Sequence, residues 1–249
     1  MTVTSAKREL RVFHDLGELS RAAADFVSQV AGESVQRSGE FFVGLSGGST
    51  PRRLYEILGS HRDRSLPWPR TQLFWSDERC VPPDDPQSNY RMVTEALSAA
   101  PIPPPNVHRM RGEDPPEEAA REYENELRQS FQIVSEDVPR FDLILLGLGE
   151  DGHTASLFPG NPVLEDTAHL VAAPYVEKLK AYRLTLTLPV LNNAANVAFL
   201  VAGAGKRAIL KRVLEEQPGV PALPAQRVRP SNGRLLWFVD ESAAGDLQR

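Results

Sequence analysis

The sequence predicts an α/β fold with a mainly parallel sheet, and three observations carry the prediction. Apolar runs of strand length alternate with amphipathic stretches of helix length along the chain. The run Phe141 to Gly147 (FDLILLG) is apolar at nearly every position, as a strand covered on both faces must be. Polar turns rich in glycine follow several of these runs directly, at the edge where a parallel sheet binds its ligands.

Taken in order, Leu10 to Phe13 read as a first strand. Leu16 to Val35 read as a helix, with Leu19, Ala22, Ala23, Phe26, Val27 and Val30 at near-helical spacing. Phe41 to Leu45 make a second strand, followed by the turn Ser46-Gly47-Gly48-Ser49-Thr50. Pro51 suits a first helical residue, and Leu54, Tyr55 and Leu58 share one face of the helix it would open. A third strand spans Leu73 to Ser76. The stretch DERCVPPDDPQSNY after it is rich in proline and acid and is expected to be irregular until a helix, capped by Ser88, covers Tyr90 to Leu97. Pro101 to Pro105 with Asn106 form a connection, and Pro115 and Pro116 open a helix to about Phe131. Beyond the apolar run at Phe141, strands are expected at Tyr182 to Leu188, Val197 to Val201 and Leu235 to Val239, the last closing the series. A helix is expected at Lys206 to Leu214. No repeat or low-complexity tract interrupts the pattern, so a single domain over residues 1–249 is expected.

Composition narrows the function. The chain has 28 Lys+Arg against 33 Asp+Glu, a net charge of −5, which provides no positive field to gather nucleic acid. Even the longest apolar runs, such as Val197 to Ala204, fall far short of the roughly 20 residues that span a bilayer. Cys80 is the only cysteine, and the opening MTVTSAKREL lacks the apolar core of a signal peptide; both point to a reducing cytoplasm. A monomer and a weak homo-oligomer both fit the sequence, which shows no long heptad and no obvious exposed apolar stripe to decide between them.

Three polar clusters stand directly after strands. In Ser46-Gly47-Gly48-Ser49-Thr50 the glycines allow close backbone approach and the hydroxyls add donors. The free N–H groups of the following helix start favour an anion. The turn lacks the Walker spacing and the dinucleotide GxGxxG, so a single phosphate fits better than a nucleotide. The same residues also suit an ordinary helix cap. In Asp77-Glu78-Arg79 the guanidinium can grip a phosphate or a developing oxyanion, with the carboxylates orienting it or meeting sugar hydroxyls. A solvated, ion-paired corner is the plainer reading. In the third cluster, Gly147 to Thr154, glycines permit a sharp turn that presents His153 at the sheet edge. Asp151 stands two residues earlier to orient the imidazole as a general base; taken alone, the motif equally suits a structural histidine hydrogen-bonded within its loop.

His14, His61, His108 and His169 fall in unrelated contexts without paired ligand spacing, so no metal is expected. Cys80 next to Arg79 could be read as an activated thiolate, but a lone cysteine beside Val81 reads more simply as a small packed hydrophobe.

Together these motifs are specific. GLSGGSTP (Gly44 to Pro51), DER (Asp77 to Arg79) with SNY (Ser88 to Tyr90), LGLGEDGHTASLFPG (Leu146 to Gly160), RLTLTLPVLNNA (Arg183 to Ala194) and GAGKRAIL (Gly203 to Leu210) resemble the 6-phosphogluconolactonases, over nearly the whole chain. The resemblance implies a three-layer αβα, modified Rossmann-like fold. That fold is shared with the glucosamine-6-phosphate deaminases and, more distantly, with ribose-5-phosphate isomerase and the CoA transferases. It further implies cofactor-free hydrolysis of 6-phosphogluconolactone in the oxidative pentose phosphate pathway. Lys206 in GAGK is similar to the lysine that both the lactonases and the deaminases use on the phosphate. Apart from the resemblance, Arg183 is expected to assist Lys206 there. Arg79 matches the lactonase pattern alone. The deaminases carry DEY in place of DER, and DGHIAFNEP in place of DGHTASLFP, which puts Phe158 where they have a catalytic glutamate. One departure is Cys80, where the lactonase pattern has valine. A deaminase-like isomerase and a non-catalytic sugar-phosphate sensor remain the alternatives.

Overall fold

The computed structural model describes residues 8–60, 66–134, 137–219 and 222–248. His61 and the first seven residues, part of the stretch read for a leader, lie outside them. In chain order the first half contains β1 (Arg8–Phe13), α1 (Leu16–Ser38), β2 (Phe41–Leu45), α2 (Ser49–Gly59), β3 (Thr71–Trp75), β4 (Asp77–Arg79), α3 (Asn89–Ala96), β5 (Val107–His108) and α4 (Pro116–Ser130). The second half contains β6 (Leu143–Leu146), β7 (Val171–Ala172), β8 (Tyr175–Val176), β9 (Ala181–Leu186), α5 (Leu188–Asn193), β10 (Asn196–Val201), α6 (Arg207–Glu215), α7 (Pro224–Arg227), β11 (Arg234–Asp240) and α8 (Glu241–Ala244).

The boundaries follow local chemistry. Asp15 caps α1 by accepting a hydrogen bond from the Glu18 N–H, and Gly39, at φ 87°, ends it in the left-handed conformation. Ser88 caps α3 through the Arg91 N–H, as its sequence position suggested. Helix α2 begins at Ser49, so Pro51 is its third residue and not its first. That position tolerates proline because the first-turn N–H groups have no partner inside the helix.

Seven strands form a wholly parallel sheet in the order β1-β11-β10-β6-β2-β3-β5. The interior strand β6, Leu-Ile-Leu-Leu, is buried throughout, which explains its continuous apolar run. Helices α1, α2 and α3 pack on one another, and α6 packs with α7 and α8. The connection β10-α6-β11 crosses the sheet in the opposite direction to β2-α2-β3. Right-handed crossovers therefore place α6 on the face opposite α2, giving three αβα layers.

The chain leaves β2 towards β3 and β5, then returns on its other side to β6 and β10. The crevice between the carboxyl ends of β2 and β6 is therefore the switch point, where such sheets bind ligands.

Two sequence expectations need correction. Asp77 to Arg79 are not irregular: they form β4, antiparallel to β9, with Asp77 opposite Thr185 and Arg79 opposite Arg183. The prolines that suggested a loop begin only at Pro82, and a distant partner strand supplies the hydrogen bonds. Strand β9 is real, but it ends at Leu186, and Leu188 already belongs to α5. It lies outside the parallel series, in a small antiparallel sheet ordered β4-β9-β7, with β8 also pairing β9. Its alternating pattern is the mark of such a strand, whereas a central parallel strand is apolar on both faces.

Candidate active site

A cleft of about 540 Å3 opens at the switch point. Most of the site residues named from the sequence line it, Glu78 excepted: Ser46, Gly47, Gly48, Ser49 and Thr50 after β2, Asp77 and Arg79 on β4, Asp151 and His153 after β6, Arg183 on β9, and Lys206 after β10.

The anion side of the cleft is built from main chain. Gly48 precedes α2 at φ 110°, no side chain caps the helix, and its first turn carries no acid. The open N–H groups and the positive end of the helix dipole therefore face the cleft unopposed. Tyr55 fixes the turn by donating to Ser46 O at 3.0 Å and accepting from Ser46 N at 3.1 Å. Ser46 Oγ is buried with no hydrogen-bond partner among the described residues. Gly203, at φ 96°, swings the chain into the short turn Ala204–Lys206, and the Asp240 carboxylate holds that turn through the Gly203 N–H at 3.0 Å.

Strand β4 explains the division of labour within DER. Alternate residues point to opposite faces, so Asp77 and Arg79 face the cleft while Glu78 turns towards α3. The Glu78 carboxylate accepts from the N–H groups of Asn89 and Tyr90, each at 2.7 Å, and so ties the corner to the start of α3. Burial pushes its carboxyl up, against the pull of those N–H groups. Arg79 and Arg183 are register partners, and neither forms an ion pair with a carboxylate among the described residues. Burial first, and then the charge of Arg79, lower the pKa of the Arg183 guanidinium. The cleft walls carry Arg79, Lys178, Arg183 and Lys206 against Asp77, Glu150 and Asp151, a local positive excess in a chain of net charge −5.

The imidazole side rests on a tight loop. The Gly149 N–H donates to His153 O at 2.8 Å and the Thr154 hydroxyl donates to Gly147 O at 2.9 Å, while Gly152 turns the chain at φ 83°. His153 Nδ1 meets Asp151 Oδ1 at 2.5 Å, which leaves Nε2 as the nitrogen free to accept a proton. The Phe158 ring stacks on the imidazole, centroids 4.2 Å apart.

Burial would push the Asp151 carboxyl up, but the hydrogen bond and charge of His153, with help from Lys178, hold it at about 2. A carboxyl depressed on folding adds stability above its ordinary value of 3.8 and loses it as pH falls towards about 2. Thermal melts should therefore show the gap between the parent protein and Asp151→Asn narrowing as pH drops through that window. A gap independent of pH would show that the pairing contributes nothing to folding.

Two contributors escaped the sequence reading. Ser156 donates to Asp77 Oδ2 at 2.7 Å, and its place inside the ASLFP motif was the available signal. Lys178 reaches Asp151 Oδ2 at 3.2 Å from the turn between β8 and β9, and nothing in VEKLK marked it. The thiolate reading of Cys80 is not supported: burial raises its pKa, outweighing Arg183, and the side chain packs against the core. Among the described residues no three His, Cys, Asp or Glu side chains gather as metal ligands, and no helix is long and apolar enough to cross a membrane.

A family model described as glucosamine-6-phosphate isomerases/6-phosphogluconolactonase matches residues 14–237. Human 6-phosphogluconolactonase is 44% identical over 243 residues, covering 94% of this chain and 92% of that protein. The 6-phosphogluconolactonase of Synechocystis is 42% identical over 218 residues, 87% of this chain and 88% of that one. The crystal structure of 6-phosphogluconolactonase from Thermotoga maritima matches with a TM-score of 0.80 at 34% identity, over 94% of this chain and 100% of that chain. The chain therefore belongs to the glucosamine-6-phosphate isomerase/6-phosphogluconolactonase family.

Proposed function

We propose that this protein is a cytoplasmic 6-phosphogluconolactonase of one domain, hydrolysing 6-phosphoglucono-1,5-lactone to 6-phosphogluconate. The observation that carries the reading is the presence, in one cleft, of an acid-free helix N-terminus beside Lys206 and an Asp151-supported imidazole. The lactonase names of relatives above 40% identity support the same assignment.

In this reading the 6-phosphate sits on Ser46 to Thr50 and Lys206, with Arg183 assisting, and Asp77 meets sugar hydroxyls. Binding energy remote from C1 aligns the reacting carbonyl. His153 Nε2 takes a proton from a water as its oxygen bonds to C1, and Asp151 holds the ring and balances the imidazolium. Arg79 and loop N–H groups meet the tetrahedral oxyanion. Collapse of that intermediate breaks the bond from C1 to the ring oxygen, which takes the proton back from the imidazolium. The steps need no metal, because the imidazole supplies the base and the guanidinium the charge.

Deaminase or isomerase chemistry requires a second proton-carrying group working with the imidazole, and Phe158, which stacks on the ring, has no proton to carry. The test generates lactone in place with glucose-6-phosphate dehydrogenase and follows acid release with and without the protein, subtracting spontaneous hydrolysis. Accelerated release, unchanged by a chelator, is expected. Binding of the sugar phosphate without turnover would make the protein a sensor, and ammonia from glucosamine 6-phosphate would make it a deaminase.

A further inference from the structure

Asn89 is a buried polar residue that the mechanism above does not use. It opens α3 and is 2% exposed, behind the wall of the cleft. Three separate contacts converge on it. Its main-chain N–H donates to the Glu78 carboxylate at 2.7 Å. Its side-chain Nδ2 donates to Asp77 O at 2.9 Å and to Asp77 Oδ1 at 3.3 Å. Its carboxamide also presses on Gly47, oxygen end nearest: a Cβ built there would stand 1.8 Å from Asn89 Oδ1 and 2.4 Å from Cγ. Two acceptors at Nδ2 fix which way round the amide sits.

We infer that Asn89 is a positioning residue that locks the anion turn and the Asp77 carboxylate into one rigid unit, an inference that rests on the sugar-phosphate reading of the cleft. Asp77 has one oxygen on Asn89 and the other on Ser156, so its carboxylate is held in a single orientation with its remaining lone pairs towards the ligand. Position 47 is glycine for the same reason. Its backbone is outside the positive-φ region, and the nearest atoms to an added methyl all belong to Asn89. The two halves of the ligand, phosphate and sugar ring, are thereby held at a fixed spacing by one carboxamide.

Substituting the side chain leaves the N–H to Glu78 and the Ser88 cap in place, so Asn89→Ala retains the start of α3. The test is a double-mutant cycle with Gly47→Ala, read as calorimetric affinity for 6-phosphogluconate, with kcat measured alongside. Gly47→Ala alone should weaken binding about tenfold or more, and in the Asn89→Ala background it should cost less than about threefold. Costs that multiply independently would overturn the inference. Asn89→Ala alone should lower kcat about tenfold by freeing Asp77.

Asn89→Asp gives a readout that a merely structural role would not move. It keeps the shape but sets a second carboxylate beside Asp77, among Glu78 and Arg79 on β4, Tyr55 on α2 and Arg183 on β9. Two such carboxylates share a proton readily, and the protonated one can donate as the amide did. Activity relative to the parent protein should therefore rise as pH is lowered, and a ratio that does not vary with pH would contradict the inference. If the parent binds 6-phosphogluconate without turning over the lactone, the lactonase reading falls while the cycle still decides Asn89. A parent that binds no 6-phosphogluconate overturns both.

Discussion

His153→Ala should lower kcat by about two to four orders of magnitude and leave KM within a few-fold of the parent value. The split follows from where the contacts lie. The phosphate is assigned to the α2 N-terminus and Lys206, which the substitution leaves intact, so ground-state binding persists. What is lost is Nε2, the nitrogen left free by the contact between Nδ1 and Asp151. The lactone opens slowly in water unaided, so the effect must be read after subtracting that background. Turnover equal to the parent's would remove His153 from the mechanism, and a loss confined to KM would make it a binding residue.

Gly149→Ala should be nearly as damaging, with a fall in turnover of roughly a hundredfold from a single added methyl group. The new Cβ would stand 2.0 Å from His153 Nδ1 and 2.2 Å from Cε1, far inside contact distance. The ring has little freedom to retreat. Phe158 is stacked on it, Nδ1 is tied to Asp151, and the Gly149 N–H is bonded to His153 O. The substitution therefore displaces the imidazole while keeping every ionisable group of the cleft. A variant with near-normal kcat would mean that the imidazole need not occupy its observed place.

Much of this architecture was legible in the sequence because the relevant signals are local. The LILL run declared a central strand, and the glycines of SGGST and LGLGEDGH marked the two turns at the switch point, where Gly48 and Gly152 take positive φ and Gly47 and Gly149 admit a close neighbour. The small antiparallel sheet was not legible. Three residues of DER become a strand only because β9 pairs with them from about a hundred positions away, and no local pattern announces such pairing.

The site divides the same way. Asp151 and His153 are two residues apart and could be coupled on paper, whereas the contact from Lys178 to Asp151 spans 27 positions. Glu78 was read with its neighbours as one polar corner, and strand alternation separates it from them by turning it towards α3.

The proposed catalysis depends on one cleft holding a phosphate at the α2 N-terminus while the imidazole reaches C1 of the same molecule. A crystal structure with bound 6-phosphogluconate tests this most directly. The phosphate is expected on the N–H groups of the Ser46 to Thr50 turn and on Lys206, with the C1 carboxylate within hydrogen-bond reach of His153 Nε2 and of Arg79. A phosphate bound elsewhere, or a C1 carboxylate turned away from the imidazole, would contradict it.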